Sequence, residues 1–266
     1  MADPYLVDKP LGATPLESLA LVRRARPEAA GAKLSYAGRL DPMATGLLVV
    51  LHGPLLMHQE RFWELPKAYE ATVMLGMVTD SYDLLGIPTP VIARDGTPTP
   101  ERMLSTIARM VGKRALPVPP YSSHQVDGRP LFAWAREGQT QDVGIPVRVM
   151  GVNEISVLQI GTIPGADLRD RVRDRVPRVH GDFRQPEILN AWEDVLIGRG
   201  ADDFPVIRMT FHCTAGTYIR SLAHILGRVL GTGGLLIDLR RTKVGPWHID
   251  DPAVIHSGQL QSETVV

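Results

Sequence analysis

The sequence predicts an α+β fold built on a mainly antiparallel sheet flanked by helices, and two observations lead to this prediction. The segments that resemble strands and helices follow one another in a mixed, irregular order, without the regular strand–helix alternation of a parallel sheet. Residues 67–76 and 207–213 alternate apolar and polar side chains, as strands with one buried face do. With 266 residues, 44% of them apolar, the chain can bury a sizeable core.

The first elements have clear boundary signals. Residues 5–10 are strand-like, and a helix is predicted from Pro15 to about Arg26. Thr14 can cap this helix, Pro15 suits its first position, and Glu17 completes a capping box.

The later elements are predicted from periodicity and caps. In the strand at 67–76, Tyr69 lies on the same face as the apolar residues, so its simplest interpretation is a half-buried sheet tyrosine. Four helices are predicted at Thr99–Gly112, Leu131–Glu137, Pro186–Gly198 and Tyr218–Leu230, and residues 146–160 are strand-like.

Composition limits the class of protein. The 29 basic and 29 acidic residues cancel, which argues mildly against a nucleic-acid partner, although arginines cluster between Arg169 and Arg184. A single cysteine, Cys213, favours a reducing cytoplasm. No segment resembles a signal peptide or a membrane span. The histidines show no metal-ligand spacing and no glycine-rich phosphate loop is present, so we expect neither a metal nor a cofactor.

The loop around Asp41 is the most informative segment. Residues 36–48 read Tyr-Ala-Gly-Arg-Leu-Asp-Pro-Met-Ala-Thr-Gly-Leu-Leu. Gly38 and Gly46 permit tight turns and a close approach of a ligand to the backbone, and the apolar run that follows anchors the loop in the core. An isolated Leu-Asp-Pro is usually only a turn, and it is the longer pattern that distinguishes this loop.

This pattern resembles the signature of TruB-type pseudouridine synthases, Gly-x-Leu-Asp-Pro-x-Ala-Thr-Gly. Further segments resemble motifs of the same family and occur in the same order: Lys9-Pro10-x-Gly12, Lys67-Ala68-Tyr69, Thr79-Asp80 with Asp83, Pro119-Pro120-Tyr121-Ser122 with Gly128 and Ala135-Arg136, Gly216-Thr217-Tyr218-Ile219-Arg220, and Leu239-Arg240-Arg241. Taken singly, each of these residues has an ordinary structural interpretation. Their joint occurrence favours the family.

The resemblance implies a pseudouridine synthase catalytic fold over residues 1–252, followed by a C-terminal tail at 253–266. It implies a tRNA pseudouridine synthase, which isomerises a uridine in the TΨC loop (position 55). That reaction breaks the N1–C1′ bond, turns the uracil and joins C5 to C1′. It requires an ionised carboxylate that attacks C1′ or C6, a base, and a pocket that holds the detached ring.

By the same resemblance, Asp41 is the nucleophile, Arg220 keeps it ionised and oriented, and Tyr69 stacks on the flipped target base. The substrate-binding residues implied by the resemblance are Tyr36, Tyr218, Leu239 and Lys9. We expect tRNA as the partner, a monomer that requires no other protein, and no contact with a membrane.

The sequence departs from the family at several places. Tyr36 stands where a histidine is common, Gln125 where a lysine is usual, and Trp134 where a tyrosine is usual. Little chain remains after residue 250 for the C-terminal RNA-binding domain typical of the family. Residues 161–203 match no family motif, and two interpretations stay open for their arginines: an RNA-binding substitute for that domain, or ordinary surface ion pairs.

Three other functions remain as alternatives. A related synthase could act on another RNA, for example under the direction of a guide RNA. A non-catalytic RNA-folding protein would have no chemical reason to retain Asp41, Tyr69 and Arg220 together. A metal-dependent nuclease would need clustered acidic residues, and the sequence shows no such cluster.

Overall fold

The structure is a computed structural model that describes residues 3–93 and 95–257. Within these residues the strands are β1 (Tyr5–Lys9), β2 (Leu34–Tyr36), β3 (Thr45–His52), β4 (Lys67–Leu75), β5 (Met77–Thr79), β6 (Pro88–Pro90), β7 (Gly112–Pro117), β8 (Gln125–Val126), β9 (Arg129–Pro130), β10 (Val147–Pro164), β11 (Asp203–Cys213), β12 (Gly234–Val244), β13 (Trp247–His248) and β14 (Val254–His256). The α-helices are α1 (Pro15–Ala25), α2 (Gln59–Trp63), α3 (Pro100–Ala108), α4 (Leu131–Arg136), α5 (Thr140–Val143), α6 (Gly165–Arg175), α7 (Gln185–Leu196) and α8 (Ile219–Leu230).

A single ten-stranded sheet organises the chain. Its order is β14-β1-β3-β12-β4-β11-β10-β7, with β2 added to β3 and β13 added to β12. The pairs β1–β14 and β3–β12 are parallel, and the other pairs of this sheet are antiparallel. The predicted α+β fold with a mainly antiparallel sheet is confirmed.

One face of the sheet packs against α3 and α8. The core there contains the inward side of β4, which includes Tyr69, Ala71, Val73 and Leu75, as the alternating pattern predicts. Burial of this apolar side fixes the register of β4, because a slip by one residue would turn its polar side inward.

The other face is covered by α6 and α7. Trp192 of α7 is 1% exposed and donates its indole N–H to the carbonyls of Leu84 and Gly86, both at 3.2 Å. Ile188, one turn earlier, is fully buried in the same core. The predicted helix at Pro186 therefore exists, and its apolar side docks the segment 161–203 on the sheet.

Local signals at the N-terminus are confirmed. Thr14 caps α1, its hydroxyl accepts a hydrogen bond from the Glu17 N–H, and the Glu17 carboxylate accepts one from the Thr14 N–H. The predicted end of the helix that starts after Thr99 is wrong. That helix ends at Ala108, and Gly112, with φ of 103°, instead begins the edge strand β7, whose backbone pairs with β10.

The C-terminal part of the chain also joins the sheet. Residues 254–256 were predicted as part of a tail, but they pair in parallel with β1. Residues 258–266 of that predicted tail lie outside the described residues. Across the described residues, the helices are too short or too polar to cross a membrane.

Candidate active site

A cavity of about 810 Å³ opens where β4, β12 and the start of α8 meet the loop before β3. Six of the seven predicted site residues line it: Tyr36, Asp41, Tyr69, Tyr218, Arg220 and Leu239. They come from four separate segments of the sequence, which the fold brings together around one cavity. The seventh predicted residue, Lys9, does not line the cavity.

The loop that carries Asp41 is held in place by close contacts with Arg241 of β12. Gly46 has φ of 102°, and a Cβ at this position would lie 2.3 Å from the backbone oxygen of Arg241. This close approach requires glycine. The Arg241 side chain is fully buried and donates to the carbonyls of Leu47, Arg39 and Gly38, at 2.7, 3.1 and 3.4 Å.

Lys9 supports the same loop from the other side. Its ammonium donates to the carbonyls of Pro10 and Ala13 at 3.0 and 2.7 Å, and to that of Pro42 at 3.4 Å. Burial lowers the pKa of Lys9 to about 8, although the Asp41 charge opposes the shift. Lys9 therefore packs against the loop without lining the cavity, and its hydrogen bonds within the protein are with backbone oxygens.

Asp41 and Arg220 form a bidentate ion pair across 179 positions of sequence. Arg220 Nη2 lies 2.8 Å from one carboxylate oxygen of Asp41, and Nε lies 2.9 Å from the other. The Arg220 side chain is 4% exposed, whereas that of Asp41 is 35% exposed towards the cavity. The Asp41 carboxylate is thus held by a buried guanidinium group and is still accessible to a ligand.

The remaining donors of Arg220 are satisfied by two backbone carbonyls. Nη1 donates to the Ser81 carbonyl at 2.8 Å, and both terminal nitrogens donate to the Tyr121 carbonyl at 3.3 and 3.2 Å. A second carboxylate, that of the buried Asp83, lies 3.7 Å from Arg220 Nε. Burial alone would lower the pKa of Arg220, but the charges of Asp41 and Asp83 raise it above its ordinary value.

Asp83 is itself fixed in place. One of its carboxylate oxygens accepts from the Ser81 hydroxyl at 2.7 Å and from the Leu85 N–H at 3.0 Å. Burial raises the pKa of Asp83, and the nearby Arg220 opposes that shift. The guanidinium therefore faces two carboxylates, of which Asp41 is the one that reaches the open cavity.

The aromatic residues shape the cavity wall. Tyr69 is 9% exposed, and its hydroxyl lies near the buried Arg241. Burial raises the pKa of Tyr69, so its hydroxyl is protonated at neutral pH. Tyr218 precedes α8, where burial and the Asp41 charge raise its pKa. Leu239 is 8% exposed and contributes apolar surface.

The structure adds residues to which no role was predicted. Arg241 and Asp83 lie within matched motifs, so a signal for them was present in the sequence. Phe183 and Arg184 also line the cavity, although they belong to the segment 161–203. No motif or periodicity pointed to these two residues, because their position depends on how α6 and α7 dock.

The arginine cluster of that segment is engaged in ion pairs. Arg173 pairs with Glu193, Arg178 with Asp174, and both Arg171 and Arg175 with Asp238. These contacts fit the interpretation as ordinary surface ion pairs better than a free basic face. Within residues 3–93 and 95–257, no three His, Cys, Asp or Glu side chains are grouped so as to hold a metal ion.

Sequence comparisons agree with this site. Residues 26–172 match the family described as TruB family pseudouridylate synthase (N terminal domain). A protein named tRNA pseudouridine synthase B from Desulfotalea psychrophila is 32% identical over 250 residues, which cover 93% of this chain and 83% of that relative. The protein of the same name from Bordetella pertussis is 32% identical, with 97% and 87% covered. The chain belongs to the TruB family, as its motifs predict.

The match covers a smaller share of other relatives. The tRNA pseudouridine synthase B of Aromatoleum aromaticum is 32% identical over 254 residues, and the match covers 94% of this chain but 65% of that relative. Among solved structures, a Cbf5-Nop10-Gar1 complex matches with a TM-score of 0.57 at 21% identity, covering 96% of this chain and 52% of that one. An archaeal box H/ACA Nop10-Cbf5 complex matches with a TM-score of 0.55 at 19% identity, covering 97% and 52%. These likenesses establish the fold.

Proposed function

We propose that this chain is a tRNA pseudouridine synthase that isomerises a uridine of the TΨC loop, with Asp41 as its nucleophile. The observation that carries the proposal is the Asp41–Arg220 pair at an accessible cavity. A carboxylate that must attack carbon has to be ionised, oriented and reachable. The bidentate contact gives the carboxylate a counter-charge and a fixed orientation, and the 35% exposure of the Asp41 side chain makes it reachable.

The reaction uses the carboxylate without a net change in charge. Asp41 attacks C1′ or C6 of the target uridine, and the N1–C1′ bond breaks. The uracil turns within the cavity, C5 bonds to C1′, and the carboxylate is released. C5 loses its proton to a base and N1 gains one, so substrate and product are isomers. Arg220 stabilises the carboxylate each time it leaves the substrate.

The cavity wall is suited to bind a uracil base that has been flipped out of the folded RNA. Flipping a nucleotide out of folded RNA costs a few kcal/mol, and an aromatic surface offsets part of that cost. Tyr69 supplies the stacking face in our proposal, with Tyr218 and Leu239 closing the pocket and Tyr36 at its rim. Because the Tyr69 hydroxyl is protonated, it serves in our proposal as a relay, whose oxygen accepts the proton from C5 as its own proton passes to water.

The choice of tRNA rests on the relatives. The proteins from Desulfotalea psychrophila, Bordetella pertussis and Aromatoleum aromaticum are all named tRNA pseudouridine synthase B. The chain spans 65% of the length of the last of these, so the activity of the whole relative comes to this chain as part of the proposal. We further propose that the chain acts as a monomer, without a guide RNA or protein partner.

The test follows the proton that leaves C5. A tRNA transcript with tritium at C5 of its uridines should release tritium when incubated with the purified chain alone. A matched transcript with cytidine in place of the uridine at position 55 of the TΨC loop should release no tritium. No release from either transcript would contradict the proposal, and equal release from both would contradict the assigned position. Release that needs a guide RNA would favour the alternative synthase.

A further inference from the structure

Arg184 lies on the cavity wall. It belongs to the segment 161–203 but lies beyond residues 26–172, which the family model matches. It immediately precedes α7, and its backbone is in the left-handed region with φ of 61°. A residue other than glycine is uncommon in this region, and such conformations concentrate at functional sites.

The Arg184 guanidinium makes two specific contacts. Nη2 donates to a carboxylate oxygen of Asp80 at 3.0 Å, and the group lies 4.3 Å from the centre of the Tyr121 ring. The Arg184 side chain is 20% exposed and that of Asp80 is 35% exposed, so the pair is partly removed from water. Burial, together with the nearby Asp80 charge, raises the pKa of Tyr121 to about 12. Arg184, Asp80 and Tyr121 therefore form one connected cluster.

This cluster joins the two backbone segments that hold Arg220. Asp80 directly precedes Ser81, whose carbonyl accepts from Arg220 Nη1 at 2.8 Å. The Tyr121 carbonyl accepts from both terminal nitrogens of Arg220. Asp80 and Tyr121 are far apart in sequence, and the side chains of Arg184 and Arg220 each contact both segments.

We propose that Arg184 is a positioning residue for the Asp41–Arg220 pair. By holding Asp80 and Tyr121 together, it fixes the two carbonyls that orient the Arg220 guanidinium, and through that guanidinium it fixes the Asp41 carboxylate. The catalytic part of this inference rests on the proposed function, whereas the geometric part does not. The segment 161–203 then contributes to catalysis through one docked side chain rather than through its exposed arginines.

The first test compares Arg184→Gln and Arg184→Lys with the control Arg173→Gln. Arg173 lies in α6, within the same segment 161–203. It pairs with Glu193, and its side chain is 56% exposed. At saturating tRNA, Arg184→Gln should lower the single-turnover rate on the order of tenfold to a hundredfold, because small misplacements of reacting groups have effects of this size. Affinity for tRNA should change little, and Arg173→Gln should behave as the parent.

Arg184→Lys should give an intermediate rate. An ammonium can pair with Asp80, but it lacks the planar face that lies over Tyr121. A parent-like rate for Arg184→Gln would overturn the proposal. So would weaker tRNA binding with a normal rate at saturation, because that result would make Arg184 an RNA contact instead.

The second test needs no activity and separates this inference from the proposed function. In the free protein, the Arg220 Nε–H should exchange slowly with water, since it is buried and donates to Asp41. NMR should show faster exchange of this proton in Arg184→Gln and none of that change in Arg173→Gln. Unchanged exchange in Arg184→Gln would overturn the positioning role, even if the parent proved to have no synthase activity. If Arg184→Gln fails to fold, Asp80→Asn breaks the same contact from its other side.

Discussion

Two arginine–carboxylate pairs of this protein share a bidentate geometry and differ in their surroundings. Arg173 contacts Glu193 at 2.5 and 2.9 Å, and Arg220 contacts Asp41 at 2.9 and 2.8 Å. The Arg173 side chain is 56% exposed, whereas that of Arg220 is 4% exposed and also donates to two backbone carbonyls. Geometry alone therefore does not distinguish a surface pair from a functional one. The two pairs are distinguished by the burial of the arginine and by the presence of an acceptor for each of its remaining donors.

The difference has an energetic meaning. An exposed pair contributes about 0–1 kcal/mol, because water solvates the separated ions nearly as well. A buried guanidinium loses that solvation, so removing one of its partners costs far more than removing a partner at the surface. The arginine-rich stretch between Arg169 and Arg184 stands out in the sequence, yet four of its arginines besides Arg184 pair with carboxylates, and two of these, Arg173 and Arg178, are more than half exposed. Within that stretch, Arg184 is the arginine that lines the cavity.

The largest expected effect comes from Asp41→Asn. The amide can still accept one hydrogen bond from Arg220, so the fold and tRNA binding should remain. An amide is a poor nucleophile, so single-turnover pseudouridine formation should fall below detection. A parent-like rate in this variant would remove Asp41 from the chemistry.

Next in size is the loss of the buried cation. Arg220→Ala leaves Asp41 and Asp83 facing each other without a counter-charge and should lower the free energy of unfolding by about 3–5 kcal/mol. Turnover should fall with it, and Arg220→Lys should recover little, because an ammonium cannot contact both oxygens and both carbonyls. The control Arg173→Ala should leave the free energy of unfolding, as measured by urea unfolding, nearly unchanged, because water solvates this exposed pair. Similar losses in both variants would refute the contrast between buried and exposed pairs.

Tyr69 separates stacking from proton transfer. Tyr69→Phe keeps the ring, so tRNA affinity should stay near that of the parent, but it removes the hydroxyl that lies near Arg241, so turnover should slow. Tyr69→Leu should lose both affinity and turnover. Equal activities of the two variants, measured by tritium release, would assign Tyr69 to the sheet core alone.

Lys9→Met probes the support under the Asp41 loop. The variant leaves the Ala13 and Pro42 carbonyls without their donor, and unpaired buried groups of this kind cost roughly 1–3 kcal/mol. Stability should fall by about this amount in urea unfolding, and tRNA affinity should be retained. Loss of affinity in a stable variant would instead return Lys9 to the substrate-binding role that the motif predicts.

The smallest effect is expected from the four arginines of α6, of which Arg173 is exposed and the other three are partly buried. Serine at positions 169, 171, 173 and 175 should leave the single-turnover rate unchanged. If these side chains do not bind RNA, the slope of log affinity against log salt should also stay the same. Removal of one arginine that neutralises a phosphate would flatten that slope by about 0.7–0.9. A clearly flatter slope would show that the segment binds RNA despite its ion pairs.

Much of the fold follows from local sequence signals. The capping box at Thr14 and the alternation around Tyr69 depend on neighbours a few residues apart, and the structure has both. The end of α3 was mispredicted because Gly112 satisfies a cap and a strand start equally well, and long-range pairing with β10 decides between them.

The site was predicted only where a motif carried it. Asp41 and Arg220 were placed together by resemblance, although 179 positions separate them. The carbonyls of Ser81 and Tyr121 could not be predicted, because a backbone oxygen leaves no trace in the identity of its residue. Arg184 could not be predicted either, since its place at the cavity results from the docking of α7 through buried apolar residues such as Trp192.

The central claim is that this chain converts a TΨC-loop uridine into pseudouridine by means of Asp41. Sequencing-based mapping of pseudouridine in unmodified tRNA transcripts tests it most directly, before and after treatment with the purified chain. The account predicts one new pseudouridine, in the TΨC loop, with the parent chain, and none with Asp41→Asn. Absence of pseudouridine after treatment with the parent chain, or an equal yield with Asp41→Asn, would contradict it.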